Sequence, residues 1–247
     1  MKSIYETNFN NKKVLVRVDF NVPLNTDRRV TDRSRIIAAK KTIEKITNDG
    51  GTAILMSHLG RPNGKDPELS LTHIVKDIED VLEKSILFTN QVIGEKTNQI
   101  VINSKPGQVV LLENLRYYSE EEKGDVNFAQ ELSKLANSYV NDAFGTAHRA
   151  HASTSVIAQF FKGNKFAGDL LLKEVDSIKK VIKDGEKPVL AILGGAKVSS
   201  KITIINNIIN KVDKLIIGGG MAFTFIKAQG GKTGDSICEN DKQGLAL

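Results

Sequence analysis

His58 and Arg61, separated by Leu59 and Gly60 and followed by Pro62, stand directly after the apolar run Thr52-Ala53-Ile54-Leu55-Met56-Ser57. An imidazole and a guanidinium this close, with a residue lacking Cβ between them, suit an anion. The guanidinium offers a planar fork of donors that matches phosphate or carboxylate, and glycine lets a ligand approach the backbone. Three other apolar runs open in the same way. Residues 14–18 lead into Asp19-Phe20-Asn21, residues 109–112 into Glu113-Asn114-Leu115-Arg116, and residues 139–140 into Asn141-Asp142-Ala143-Phe144-Gly145-Thr146-Ala147-His148-Arg149-Ala150-His151. Each alone is equally an ordinary loop with a solvated arginine. Four such openings in one chain fit one shared anion site better than four unrelated loops. Arg17, two residues before Asp19, would share its face of the strand as a structural ion-pair partner.

A second kind of site is written further on. The apolar residues 189–193 precede Gly194-Gly195-Ala196-Lys197-Val198-Ser199-Ser200-Lys201, and helical periodicity follows. Strand, glycine turn and helix N-terminus together make a phosphate cradle, because free backbone N–H groups and the positive end of the helix dipole face the ligand. Lys197 and Lys201, four residues apart, would add two ammonium groups; the alternative is a tight turn with two surface lysines. Gly218-Gly219-Gly220 closes another apolar run, and a strand end without Cβ suits a flat ring lying against the backbone. Two patterns mislead. Gly230-Gly231-Lys232-Thr233 imitates the end of a Walker A loop, but Ile226 stands where that motif needs glycine, so the segment reads as a helix C-cap and turn. His148 and His151 suggest a metal, yet no carboxylate or thiol completes a ligand set, and no metal site is expected.

Strands are expected near residues 14–20, 53–58, 109–112, 138–142, 189–193 and 214–217, with a weaker one at 86–88. Helices are expected over 34–47, 71–82, 128–136, 170–182 and 221–229. Ser119 with Glu122 three residues on reads as a capping box. Strands alternating with helices mean a parallel sheet wrapped by helices. The fold class is therefore α/β: a three-layer, Rossmann-like N-terminal domain over residues 1–168, then a hinge helix and an incomplete second domain of the same class over 169–247. In open sheets of this kind ligands collect beyond the carboxyl ends of the strands, which is where all four basic openings fall.

Composition narrows the classes. The chain has 247 residues, 40% hydrophobic and 26% charged, as expected of a soluble globular protein. No apolar stretch approaches a membrane span and the N-terminus lacks the apolar core of a signal peptide. One cysteine, Cys238, excludes an internal disulfide framework and fits a reducing cytoplasm. The net charge of +6 invites a nucleic-acid reading, but the lysines are scattered along helices and no basic stripe is interleaved with aromatics. Neither nucleic acid nor membrane is expected as a partner.

The motifs Arg17-Val-Asp-Phe-Asn-Val-Pro23, Ser57-His-Leu-Gly-Arg-Pro62, Glu113-Asn-Leu-Arg116, Asn141-Asp-Ala-Phe-Gly-Thr-Ala-His-Arg-Ala-His151, Gly194-Gly-Ala-Lys-Val198 and Gly218-Gly-Gly-Met-Ala222 resemble those of phosphoglycerate kinases, in that family's order and across essentially the whole chain. The resemblance implies the glycolytic, reversible transfer of a phosphoryl group between 1,3-bisphosphoglycerate and ADP, giving 3-phosphoglycerate and ATP. It implies that Asp19 and Asn21 hold the glycerate, that His58, Arg61, Arg116 and Arg149 hold its phosphate, and that Phe20, Leu59, Gly60 and Arg35 also belong to the substrate-binding set. Arg35 would stabilise the transferred group and, with Lys197, act in catalysis. By sequence alone Arg35 is a surface helix residue. Gly194, Gly195, Lys197, Lys201, Gly218, Gly219 and Gly220 would receive the nucleotide. Mg²⁺ would arrive with ATP or ADP, its protein ligand lying in the family's later glycine-rich loop, past Leu247. A cytoplasmic monomer is expected. A truncated, inactive anion-binding fragment is the alternative function. A NAD-dependent dehydrogenase would need Gly-x-Gly-x-x-Gly after a strand, which neither glycine cluster supplies.

Overall fold

The computed structural model describes residues 2–184 and 186–247. The chain divides into two compact units, Met1–Glu174 and Val175–Leu247. The first is built on a six-stranded, all-parallel sheet of β1 (Lys13–Arg17), β2 (Thr52–Met56), β3 (Ile86–Phe88), β4 (Val109–Leu111), β5 (Ser138–Asn141) and β6 (Lys165–Ala167), in the order β3-β4-β2-β1-β5-β6.

The apolar runs are continuous because both faces of the sheet are covered. Successive side chains point to opposite faces. Val14, Val16, Ala53, Leu55, Val109, Leu111 and Val140 enter one core, while Leu15, Ile54, Met56, Val110, Leu112 and Tyr139 enter the other. Over the first core lie α1 (Ser34–Asn48), through Ile36, Ala39, Ile43 and Ile46, and α2 (Val75–Leu82), through Ile78 and Leu82. The second is covered by α3 (Glu95–Asn103) through Val101 and by α5 (Val126–Ser133) through Phe128, Ala129 and Leu132, with the short α4 (Ser119–Lys123) between them in sequence.

The second unit pairs β7 (Leu190–Gly194) with β8 (Lys214–Gly218), parallel, and carries α7 (Ile202–Ile208), α8 (Met221–Ala228) and the short α9 (Gln243–Ala246). The helix α6 (Asp169–Asp184) begins where the expected domain boundary lies, and the division between the units falls inside it. No helix among the described residues is long and apolar enough to cross a membrane.

Several local expectations need correction. Residues 18–20 leave the ladder of β1 and form the loop beyond it. The segment 71–82 is a 3-10 turn (Leu71–Ile74) running into α2, because Ser70 caps the turn and the Glu113 carboxylate takes the Leu71 amide. Ser119 is not an N-cap: Tyr118 occupies that position, Ser119 is the first helical residue and no side chain caps the helix. A capping box does occur at Ser3–Glu6. The helix expected over 128–136 starts two residues earlier, capped by Asp125, whose carboxylate accepts from the Phe128 amide at 2.8 Å. The Gly230-Gly231 turn is a helix C-cap as expected: Gly230 has φ 84°, its amide donates to Lys227 O, and the Gly231 amide donates to Ile226 O.

Asp142 joins the end of β5 to the start of α6. Its Oδ1 accepts from the amides of Leu170 (2.9 Å) and Leu171 (3.2 Å), while its buried Oδ2 has no partner. Burial, only partly offset by bonds from Thr42, Leu171 and Leu170, pushes its carboxyl up to about 7. A folded-state value above the unfolded one means that protonation favours the folded state. The contribution is therefore complete below about pH 4 and is lost as pH rises through about 7. Asp142→Asn keeps the acceptor for both amides and removes the titration. Urea denaturation of the two proteins from pH 4 to 7 should show the variant gaining stability relative to the wild type, by on the order of 2–4 kcal/mol across the interval. A constant difference would show that Asp142 does not titrate there.

Candidate active site

The four central strands β4, β2, β1 and β5 are neighbours and parallel, so the segments following them emerge along one edge of the sheet. Buried side chains tie these segments together. Asn114 uses its whole amide: Oδ1 accepts from the amides of Leu59 (3.2 Å) and Arg116 (3.1 Å), and Nδ2 donates to the carbonyls of Leu59 and Leu69, both at 2.8 Å. Asn21 Oδ1 accepts from the Gly60 amide at 2.8 Å, and Ser57 Oγ accepts from the Phe20 amide at 2.8 Å. The Glu113 carboxylate accepts from Ser70 Oγ and from the amides of Leu71 and Asn114. The sequence does not single out Asn114; an amide directly after an acid at a strand end is the only signal it leaves.

On this frame stand the cations. Arg116 Nη1 donates to Gly60 O at 2.7 Å and Nη2 lies 3.3 Å from Glu122, with 8% of the side chain exposed. Arg61 and Arg149 are exposed, and neither side chain has a hydrogen bond or ion pair among the described residues. Arg35 Nη1 donates to Asp19 Oδ2 at 2.5 Å. The Arg116 guanidinium is held below its usual range by burial, and by Arg149 and Arg61 despite the opposing Glu122. Burial, with Arg17, Arg116, Arg35 and His151, drives His58 down to about 2, so its imidazole is neutral. Arg61, Arg116, Arg149, Arg35 and His58 thus share one electrostatic field, and an anion among them relieves their repulsion.

Not every expected residue faces this rim. The side chains of Phe20 and Leu59 are buried in the core, so either can offer a ligand only its backbone. Arg17 is not the ion-pair partner of Asp19; Arg35 is. Arg17 is buried: Nε donates to Ser153 Oγ at 2.9 Å, Nη1 donates to Val18 O, and Nη2 lies 3.2 Å from His58 Nδ1. Gly60 has φ 62°, and a Cβ there would meet Leu69 at 2.7 Å, so glycine is required by the turn. His151 is buried with Nδ1 3.9 Å from Glu121, whereas His148 is exposed.

In the second unit Gly194 and Gly218 are register partners at the ends of β7 and β8. The glycine turns that follow pack backbone against backbone. A Cβ on Gly219 (φ 68°) would meet Gly195 O at 2.9 Å, one on Gly220 would meet Ala196 O at 3.1 Å, and the Met221 amide donates to Gly195 O. A Cβ on Gly194 would meet Gly218 O at 4.0 Å and one on Gly218 would meet Leu193 O at 3.9 Å, ordinary contacts that do not by themselves demand glycine. The expected cradle differs in one respect: α7 begins only at Ile202, with Lys201 at its N-cap. The turn before it is already engaged by a carboxylate. Glu239 accepts from the Ser199 amide at 3.0 Å and from its hydroxyl at 2.6 Å, and these bonds hold its carboxyl below the usual range. The Lys201 side chain lies over Gly195, and Lys197 is exposed.

The family model for phosphoglycerate kinase matches residues 4–247. A phosphoglycerate kinase of Moorella thermoacetica is 51% identical over 245 residues, covering 99% of this chain and 62% of the relative. One of Porphyromonas gingivalis is 47% identical, covering 99% and 64%. The solved phosphoglycerate kinase of Coxiella burnetii superposes with a TM-score of 0.83 at 36% identity, covering 99% of this chain and 61% of its own. The chain thus spans about three fifths of the length of the relatives it matches. The arginine-bearing edge of the first sheet and the paired glycine turns of the second unit lie on a chain that belongs to the phosphoglycerate kinase family.

Proposed function

We propose that this chain serves the reversible transfer of a phosphoryl group between 1,3-bisphosphoglycerate and ADP, in the cytoplasm, and that its first unit binds 3-phosphoglycerate at the carboxyl edge of the sheet. One observation carries the reading. Arg61 and Arg149 have no counter-ion among the described residues, yet they share a field with Arg116, Arg35 and neutral His58. Arg61, Arg149 and Arg116 bind the phosphate, and His58 adds a neutral donor. Asp19 and Asn21 orient the glycerate.

The acceptor in the direction of ATP use is a carboxylate, already ionised at neutral pH, so the reaction needs no general base. What remains for the protein is positioning and the stabilisation of charge on the transferred group. Arg35, held to Asp19 in this structure, would leave that carboxylate to stabilise the transferred group. Lys197 and Lys201, with the glycine turns Gly194-Gly195 and Gly218-Gly219-Gly220, receive the nucleotide. Among the described residues no group of three or more His, Cys, Asp or Glu is placed to hold a metal ion. No step is assigned to a Mg²⁺ ion arriving with the nucleotide.

Titration calorimetry with 3-phosphoglycerate tests the first site. A charge-assisted bond to phosphate contributes about 1.5–3 kcal/mol, so Arg61→Ala or Arg149→Ala should weaken binding by roughly tenfold or more. Each should also flatten the salt dependence. Affinity indifferent to both substitutions and to salt would remove the anion site from the first unit.

In a coupled assay of phosphoryl transfer, Arg35→Ala should lower kcat by on the order of tenfold to a thousandfold while changing the 3-phosphoglycerate affinity much less. A loss of affinity with kcat unchanged would make Arg35 a ground-state binding residue.

A further inference from the structure

Beneath the anion rim runs a buried chain of charge that phosphate binding itself does not require. It starts at Glu121 in α4, which is buried. Its carboxylate accepts from the Ser153 hydroxyl at 2.6 Å and from the Ser153 amide at 2.9 Å. The same hydroxyl accepts from Arg17 Nε at 2.9 Å. Ser153 thus bridges an acid and a guanidinium, each buried. Burial weighs against the charge of Arg17, and Glu121 and Asp19 support it. The far end of the guanidinium, Nη2, lies 3.2 Å from Nδ1 of His58.

That contact fixes the chemistry of the ring. A guanidinium has five N–H donors and no acceptor, so at hydrogen-bond distance Nδ1 can only accept. The imidazole proton is then on Nε2. Nε2 has no hydrogen-bond partner among the described residues and is not an enclosed, unsatisfied atom. It is the open end of the ring.

We propose that Arg17 is a positioning residue for the anion site, braced by Ser153 and Glu121, which holds His58 as the Nε2–H tautomer and so keeps a neutral N–H donor at the rim across the physiological pH range. This rests on the reading of His58 as a phosphate contact. The groups that act on His58 from the surrounding elements are Arg17 of β1, Arg35 of α1, Arg116 after β4 and His151 after β5. All four oppose a second proton, as burial does. A freely titrating histidine would change charge between about pH 5 and 8. A ring locked in this way offers the same donor throughout. The cost is a buried arginine that never meets the ligand, and Glu121 supplies its countercharge.

The test is two-bond ¹H–¹⁵N correlation spectroscopy of the histidine-labelled protein, with His58 identified among the four histidines by its loss in His58→Gln. The wild type should show a pyrrole-type Nε2 and a pyridine-type Nδ1, unchanged between about pH 5 and 8. A proton on Nδ1, or titration within that interval, overturns the inference. Removing Arg17 alone would leave Glu121 buried without its countercharge, so Arg17→Met is combined with Glu121→Gln. In that variant His58 should populate both tautomers and its pKa should rise by at least about one unit. A folded variant with the wild-type pattern overturns the inference. Should it not fold, Ser153→Ala keeps both charges and the Ser153 amide bond, and a minor Nδ1–H species should appear; an unaltered pattern again counts against Arg17. Calorimetry with 3-phosphoglycerate on the same samples separates the two readings. The expected tautomer without binding would refute the substrate assignment and leave the Arg17–His58 contact standing.

Discussion

A parallel sheet buried on both faces leaves its strands no side chain to spare. In β1, β2 and β4 every apolar position is claimed by one of the two cores, so chemistry can begin only where the strands stop. That constraint orders the first unit. The turn from ladder to loop must be sharp, because one residue too far along the strand returns the side chain to a core. Phe20 and Leu59 do return, and act through backbone alone. Their neighbours Asp19, Asn21, His58 and Arg61 fall on the outer side. Asn114, with all four of its hydrogen-bonding positions used, fixes where two of these loops run. It shares that task with the Leu115 amide, which donates to Ser57 O, and with the Arg116 guanidinium, which donates to Gly60 O.

Counter-charges separate structural cations from the rest. Arg28 is paired with Glu68, Arg33 with Asp77 and Asp80, and Arg17 reaches Glu121 through Ser153. Arg35 and Arg116 are paired too, but with Asp19 and Glu122 at the rim. The side chain of Glu122 is 55% exposed, so it can leave for solvent at little cost. Arg61 and Arg149 have no partner among the described residues. The site therefore holds some of its positive charge in place with exchangeable carboxylates and leaves the remainder open to an incoming anion.

The sheet is legible in the sequence because a short, unbroken apolar run bounded by glycine suits a strand covered on both faces. The elements it hides are those with little periodicity. β6 has three residues, and α3 turns only Thr97 and Val101 into the protein. The rim is legible as a set of residue types, but not residue by residue. Nothing in one chain says that Arg17 is pulled inward by Ser153, because the two stand 136 positions apart and no local signal links them. The same holds for Arg35, which the helix pattern leaves on the surface and only the carboxylate of Asp19 draws to the rim.

The second unit prepares for an anion by other means. The glycines at the two strand ends differ. Gly219 and Gly220 are required by the close packing of one turn on another, whereas a Cβ on Gly194 or Gly218 would make only ordinary contacts. The Ser199 amide, which a phosphate approaching the turn would seek, is held by Glu239. A carboxylate on a backbone amide is itself a sign that the turn favours negative charge. A phosphate approaching that turn would have to displace Glu239 or bind beside it, near Lys197 and Lys201. In the first unit Arg61 and Arg149 have no partner among the described residues, whereas Arg35 and Arg116 are held by Asp19 and Glu122; in the second, one backbone donor is held by Glu239. An anion would meet exposed side chains first in both units, so any salt dependence of binding would belong to the lysines and arginines.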